Sequence, residues 1–448
     1  MAKLWQKGYE LNEVVEAFTV GEDPALDRAL VKWDAVGSMA HARMLAAIGV
    51  LTAEEAERLR AELAAVVALD AGGKFEIRRE HEDVHTAIED HLVKTLGDVG
   101  KKLHTARSRN DQVILDMRLY MRERYAALAG DTLALIETLI DLAEKYKDVP
   151  IPGRTHFQRA MPSSVGLWAG AFAESLLDDL LFFEPVVAIV DQCPLGSAAG
   201  YGVNLPIDRQ MVSDLLGFAK VQNNVLYVNN SRGKVESMFL SACVQAVNDL
   251  GKLAADVIVW CVPEFGYFTL PEEFCPGSSL MPQKRNPCPF ELVRASASIV
   301  QADLAAVLGV VKSLASGYHR DFQLTKGPFM SGVETTLGCL RVSRVCMERL
   351  KVNAEACIRA FTPDVFATDR VLDLVKQGVP FRDAYRKVAA SLGETAMEDP
   401  IANIRAKTHL GATGNLGLDL ARGRAAGERR KLSQRDVWEK AIERLVAG

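Results

Sequence analysis

The sequence predicts an all-α fold, an elongated multi-helix bundle with small helical lobes at its two ends. Three observations predict it. Between Gly100 and Pro150 the only Gly or Pro is Gly130, and Val113, Ile114, Leu115, Met117 and Leu119 recur at helical spacing. The segment Val235–Val262 is apolar around most of its circumference, through Met238, Phe239, Leu240, Cys243, Val244, Ala246, Val247 and Leu250. A helix of that kind is covered by neighbours on several sides. Strand patterns are few: Phe75–Arg78 and Val225–Val228 are the best, each expected as the arm of a short hairpin.

Taken in order, residues 1–106 read as an N-terminal lobe of short amphipathic helices that ends at the polar loop HTARSRND. Residues 107–356 read as the central bundle. Its long helices are expected between Gly100 and Pro150, then near Ser163–Glu184, Lys234–Val262, Phe290–Leu308 and Gly332–Ala360. Each exceeds the usual helix of ~11–12 residues. From Cys357 the pattern shortens around FTPDVFATD and KQGVPFRDAYRKV, so residues 357–448 are expected to form a C-terminal lobe.

Of the 448 residues 49% are apolar and 25% charged, which is too apolar for a disordered chain. The net charge of -5 and the absence of a Lys/Arg-rich run argue against a nucleic-acid partner. The N-terminus MAKLWQKGYELNEVVEAF has no apolar core with a cleavage site, and no stretch of about twenty apolar residues is free of charge. A cytoplasmic protein that neither spans nor enters a membrane is the expectation. The eight cysteines contain no CxxC pair, so neither a disulfide framework nor a zinc ribbon is indicated, and most are expected to be packed thiols.

Three segments concentrate cations, hydroxyls and amides beside long helices: Arg107–Gln112, Gly153–Gln158 and Gly277–Asn286. Singly, each also reads as a capping or solvated turn; together they form a donor set suited to carboxylates. In the third, GSSLMPQKRN, Gly277 gives backbone freedom and Ser278 offers an oxygen, with Lys284 and Asn286 close behind. A serine is a poor base unless cations or helix-terminal N–H groups stabilise its alkoxide, and this segment carries both.

GSSLMPQKRNP resembles the signature loop of the fumarase/aspartase superfamily, and HTARSRNDQV (His104–Val113) resembles the argininosuccinate lyases within it. DAVGSMAHARML, EDVHTAIE, PLGSAAGYG, PIDR and SGYHRDFQLTK extend the resemblance over residues 1–390. It implies a homotetramer around a twenty-helix core, with each active site assembled from three subunits, and no cofactor or metal. The implied reaction is β-elimination from argininosuccinate, giving arginine and fumarate in the last step of arginine biosynthesis. Carried over by motif, Ser278 becomes the base, Lys284 and Asn286 hold the carboxylate that becomes an aci-carboxylate, and His156 acts with Glu291. Ser108, Arg109, Asn110 and Thr155 bind the succinyl end; Tyr318, Gln323 and Lys326 bind the arginine part. Asp27 fits a family carboxylate, and His85 is expected near the substrate cavity.

The chain departs from the family at Val225–Lys234, where only the arginine of the usual segment is kept, and at Cys288, where an aspartate is usual. Cys288, beside a cationic loop, reads as a packed thiol or as a reactive one. Arg285 gives a KRNP ending also found in adenylosuccinate lyases, the runner-up reading. Gly411–Leu420 matches nothing in the family pattern. Two other classes compete. His81-Glu82-Asp83-Val84-His85 is formally HExxH, with His91 where a third zinc ligand would stand, but a continuous helix would carry His91 about 120° away from the His81/His85 face. A non-catalytic structural protein on the same scaffold would have little use for Ser278, His156, Lys284 and Glu291.

Overall fold

The computed structural model describes residues 12–277, 279–394 and 396–448; Ser278 lies outside them. Helix α1 (Val31–Ala47) is buried almost throughout, and α2 (Ala53–Ala71) starts at a reciprocal cap in which Thr52 and Glu55 satisfy each other's backbone N–H. Helix α3 (Val84–Leu96) follows, with Asp83 as its cap. The bundle then rises through α4 (Arg109–Lys145), α5 (Val165–Val190), α7 (Lys234–Cys261), α8 (Cys288–Val311) and α9 (Lys326–Glu348), with the short α6 (Val225–Asn230) between α5 and α7. Helix α4 packs on α5 and α9, and α7 packs along α8 and α5. The last two helices, α10 (Leu418–Gln434) and α11 (Asp436–Ala447), return to the bundle: α10 lies on α4 and α11 on α1. One hydrophobic core therefore runs from Leu30 to Leu445.

The all-α reading holds. Its details differ in four places. Phe75–Arg78 forms no strand among the described residues, and Val225–Val228 opens a helix. Asn224 decides the second case, because its side chain accepts from Tyr227 N at 2.9 Å and caps the turn against the β preference of Val and Tyr. The helix expected at Gly332–Ala360 begins earlier, at Lys326, and ends at Glu348. Pro328 is tolerated there because first-turn N–H groups have no intrahelical partner. The chain beyond it forms Lys351–Val352, antiparallel to Phe268–Thr269.

The fourth difference is the segment read as a loop at Gly153–Gln158, which is a hairpin. Strands β1 (Pro150–Thr155) and β2 (Gln158–Ser164) pair antiparallel, and Thr155 opposite Gln158 leaves only His156 and Phe157 in the turn. Both have positive φ, 53° and 60°, as a tight turn matched to strand twist requires.

Helix α8 buries Phe290, Val293, Ala297, Val300 and Val307 on one face. It exposes Leu292, Ile299 and Leu308 on others. By length and hydropathy alone it could cross a membrane, yet Glu291, Arg294 and Asp303 interrupt it.

Candidate active site

The HTARSRND segment is fixed from both sides. His41 Nε2 meets Thr105 O at 2.9 Å, and Arg107 donates to Ser38 Oγ at 2.8 Å. Burial and the nearby Arg107 push the His41 imidazole down to about 3, so it stays neutral. Ser108 caps α4: its Oγ accepts from Asn110 N at 3.2 Å, and its own N–H donates to Asp111 at 2.9 Å. The other Asp111 oxygen accepts from Gly196 N at 3.0 Å and Ala198 N at 2.8 Å, tying PLGSAAG to the helix start. Burial raises this carboxyl to about 6, against those N–H donors.

Arg109 and Asn110 enter a cavity of about 440 Å³ that is also lined by Asp27, His85, Arg232, Tyr318, Gln323 and Lys326. Arg109 is aimed by Asp83 at 3.1 Å, Glu82 at 3.3 Å and Thr86 Oγ1 at 2.8 Å. Lys326 is buried against Asp27 at 2.5 Å and Asp23 at 2.6 Å. Burial alone would lower its pKa, but the two carboxylates carry it above the ordinary lysine value. Gln323 donates to Thr19 O at 3.1 Å and Val20 O at 2.9 Å, so its amide holds the N-terminal segment on the cavity wall.

His85 sits at the back of this cavity. Its Nδ1 bonds the Asp34 carboxylate, with Asp116 3.7 Å away, and Ser38 donates to Asp34 at 3.1 Å. Burial opposes protonation of His85, but Asp34 outweighs it and raises the imidazole to about 9. Asp116 is raised well above the carboxylate range by burial and by Asp34. Sequence reading found His85 but missed Asp34 and Asp116, which lie on α1 and α4 as unremarkable single aspartates in long helices.

The HExxH alternative fails on geometry. Glu82 has φ 68° and breaks the chain between His81 and α3, so the assumed continuous helix does not exist. The three rings take separate partners: His81 with Arg78 N and Asp90, His85 with Asp34, and His91 with Glu62 at 2.6 Å.

Among the described residues, Ser108, Thr155, His156, Lys284, Asn286 and Glu291 do not line this cavity. Thr155 and His156 are exposed at the hairpin turn, and Lys284 and Glu291 are exposed at the start of α8, with Asn286 half-buried beside them. The loop carrying Lys284 is closed at its base by a Gly277–Arg285 bridge and by Asn286 donating to Pro276 O at 3.1 Å. A larger cavity of about 590 Å³, under α11 between Trp33, Leu119 and Trp438, contains none of the expected site residues.

A family model described as Lyase matches residues 12–302. An argininosuccinate lyase from Sorangium cellulosum is 46% identical over 417 residues, covering 93% of this chain and 97% of its own. One from Thermotoga neapolitana is 43% identical over 391 residues, 87% of this chain and 98% of its own. In fold, the chain is similar to EDDS lyase in complex with formate, with TM-score 0.80, 21% identity and coverage of 98% and 95%. It is also similar to a class II fumarase from Schistosoma mansoni, with TM-score 0.73, 15% identity and coverage of 88% and 95%. With identity of 43–46% to these relatives over about nine-tenths of its length, this chain belongs to the argininosuccinate lyase family.

Proposed function

We propose that the chain cleaves argininosuccinate to arginine and fumarate by β-elimination of a C–N bond, closing arginine biosynthesis. One observation carries the substrate assignment: segments distant in sequence, HTARSRND, Asp23–Asp27 and SGYHRDFQLTK, meet at one cavity that mixes four carboxylates with five basic side chains. A ligand bearing carboxylates, an amine and a guanidinium suits that mixture.

In this reading Ser278 takes the proton next to a carboxylate. Lys284 and Asn286 hold the aci-carboxylate as its second negative charge grows, which is where fixed cations lower the barrier most. His156, with Glu291, manages the proton balance of the leaving guanidinium. Ser108, Arg109, Asn110 and Thr155 hold the succinyl end; Tyr318, Gln323, Lys326, Asp27 and His85 frame the arginine end.

The exposure of His156, Lys284 and Glu291 in a single chain, away from the Arg109 cavity, supports sites completed by other copies. The apolar outer residues of α8 supply a surface for that packing, and a homotetramer with shared sites is the assembly we assign. The division into 1–106, 107–356 and 357–448 is part of the same proposal. Eight free thiols support a reducing, cytoplasmic setting.

The test is ultraviolet detection of fumarate with argininosuccinate and, separately, adenylosuccinate, which the KRNP ending makes the proper competitor. Fumarate from argininosuccinate alone is expected. Ser278→Ala should abolish this while leaving assembly intact, and a variant retaining more than about a tenth of parent turnover would remove serine from the role of base.

A further inference from the structure

Two cysteines bracket the loop that carries Ser278. Cys275 stands just before Pro276 and Cys288 just after Pro287. The antiparallel bridge between Gly277 and Arg285 is isolated, and it holds the two arms of the loop together two residues after Cys275 and three before Cys288. The Asn286 side chain, donating to Pro276 O at 3.1 Å, is a second tie between the same arms. A disulfide joins Cα atoms about 4.4–6.8 Å apart, so it needs two arms already tied together in this way. Cys275 and Cys288 are the cysteines nearest these two ties, one on either arm of the loop.

Both thiols are half-exposed, whereas Cys193, Cys243, Cys339, Cys346 and Cys357 are buried. Burial raises Cys275, Arg285 beside it pulls the other way, and Cys288 is close enough to act on it electrostatically. Cys261 is pushed up to about 12 by burial and by Cys275, which leaves it a poor rival nucleophile.

We propose that Cys275 and Cys288 form a reversible disulfide across the neck of the 276–287 loop, and that this bond switches the loop out of its working conformation. Two thiols lose two protons and two electrons to hydrogen peroxide, whose O–O bond breaks to give two waters, while one S–S bond forms. A dithiol such as dithiothreitol reverses the change by exchange, leaving both cysteines as thiols. The effect on turnover rests on the assignment of this loop as the base-bearing one; formation of the bond does not.

The full-length protein is treated with hydrogen peroxide, digested without reduction and mapped by mass spectrometry, alongside fumarate release from argininosuccinate. A peptide joined through Cys275 and Cys288 is expected. Turnover should fall by roughly tenfold or more, the scale on which small displacements of reacting groups act, and return with dithiothreitol. Cys275→Ser and Cys288→Ser should each keep turnover under peroxide, while Cys261→Ser should behave as the parent. A link from Cys275 to Cys261 or Cys346, no intramolecular link, a link without loss of turnover, or inactivation that persists in both serine variants would each overturn the proposal. A protein without lyase activity that still forms the 275–288 link would sink the functional assignment and leave the bond standing.

Discussion

His85 holds its charge between carboxylates contributed by two other helices, Asp34 on α1 and Asp116 on α4, with Asp83 at the cap of its own. Its imidazole titrates near 9, above the ordinary 6.5, so the stabilisation it provides is complete below about 6.5 and fades as pH rises to about 9. Asp34→Asn should therefore cost a few kcal/mol near pH 6 and much less near pH 10, read as urea midpoints at the two values. An equal loss at both would show that Asp34 acts through packing instead. At this scale the sequence was legible wherever residues lie within one motif, as Ser108, Arg109 and Asn110 do. It was not legible for Asp34 and Asp116, whose partners are 51 residues from one and on another helix from the other, so nothing local marks them.

Among the elements, two glycines in the bundle should respond to alanine with opposite sign. Gly166, in the first turn of α5, would place a Cβ 2.6 Å from Lys147 Cα and 2.8 Å from Ala143 O, backbone atoms that cannot swing aside. Gly166→Ala should cost about 1–3 kcal/mol. Gly130, within α4, would place its Cβ in open space, and Gly130→Ala should gain up to about 1 kcal/mol through helix propensity. Thermal midpoints check both, and a stable Gly166→Ala would mean that the α4–α5 crossing is looser than drawn. The long helices were readable because their periodic apolar residues and missing Gly and Pro speak of one element at a time. The 150–164 hairpin was not, because three prolines (Pro150, Pro152 and Pro162) and a non-glycine turn disguise its strands, and pairing is a property of two segments at once.

For the molecule as a whole, the separation between the Arg109 cavity and the exposed His156 and Glu291 makes a quantitative expectation. Arg109→Gln and His156→Asn should each be inactive alone. If every site draws Arg109 from one copy and His156 from another, random reassembly leaves one site in four with both intact, so the mixture should regain about a quarter of parent turnover. A mixture as dead as its components would return every residue of the site to a single chain. Replacing Leu292 and Ile299 by aspartate should release smaller species in sedimentation, since both are exposed apolar residues on α8.

The left-handed corner at His156 and Phe157 has a cost that Asn and Gly at the same positions would largely avoid. A laboratory selecting this chain only for heat resistance would be drawn toward replacing both side chains, and if the imidazole does the work assigned to it, the winners would be robust and inert. Under the proposed role of His156, durability and chemistry would thus pull this one corner in opposite directions.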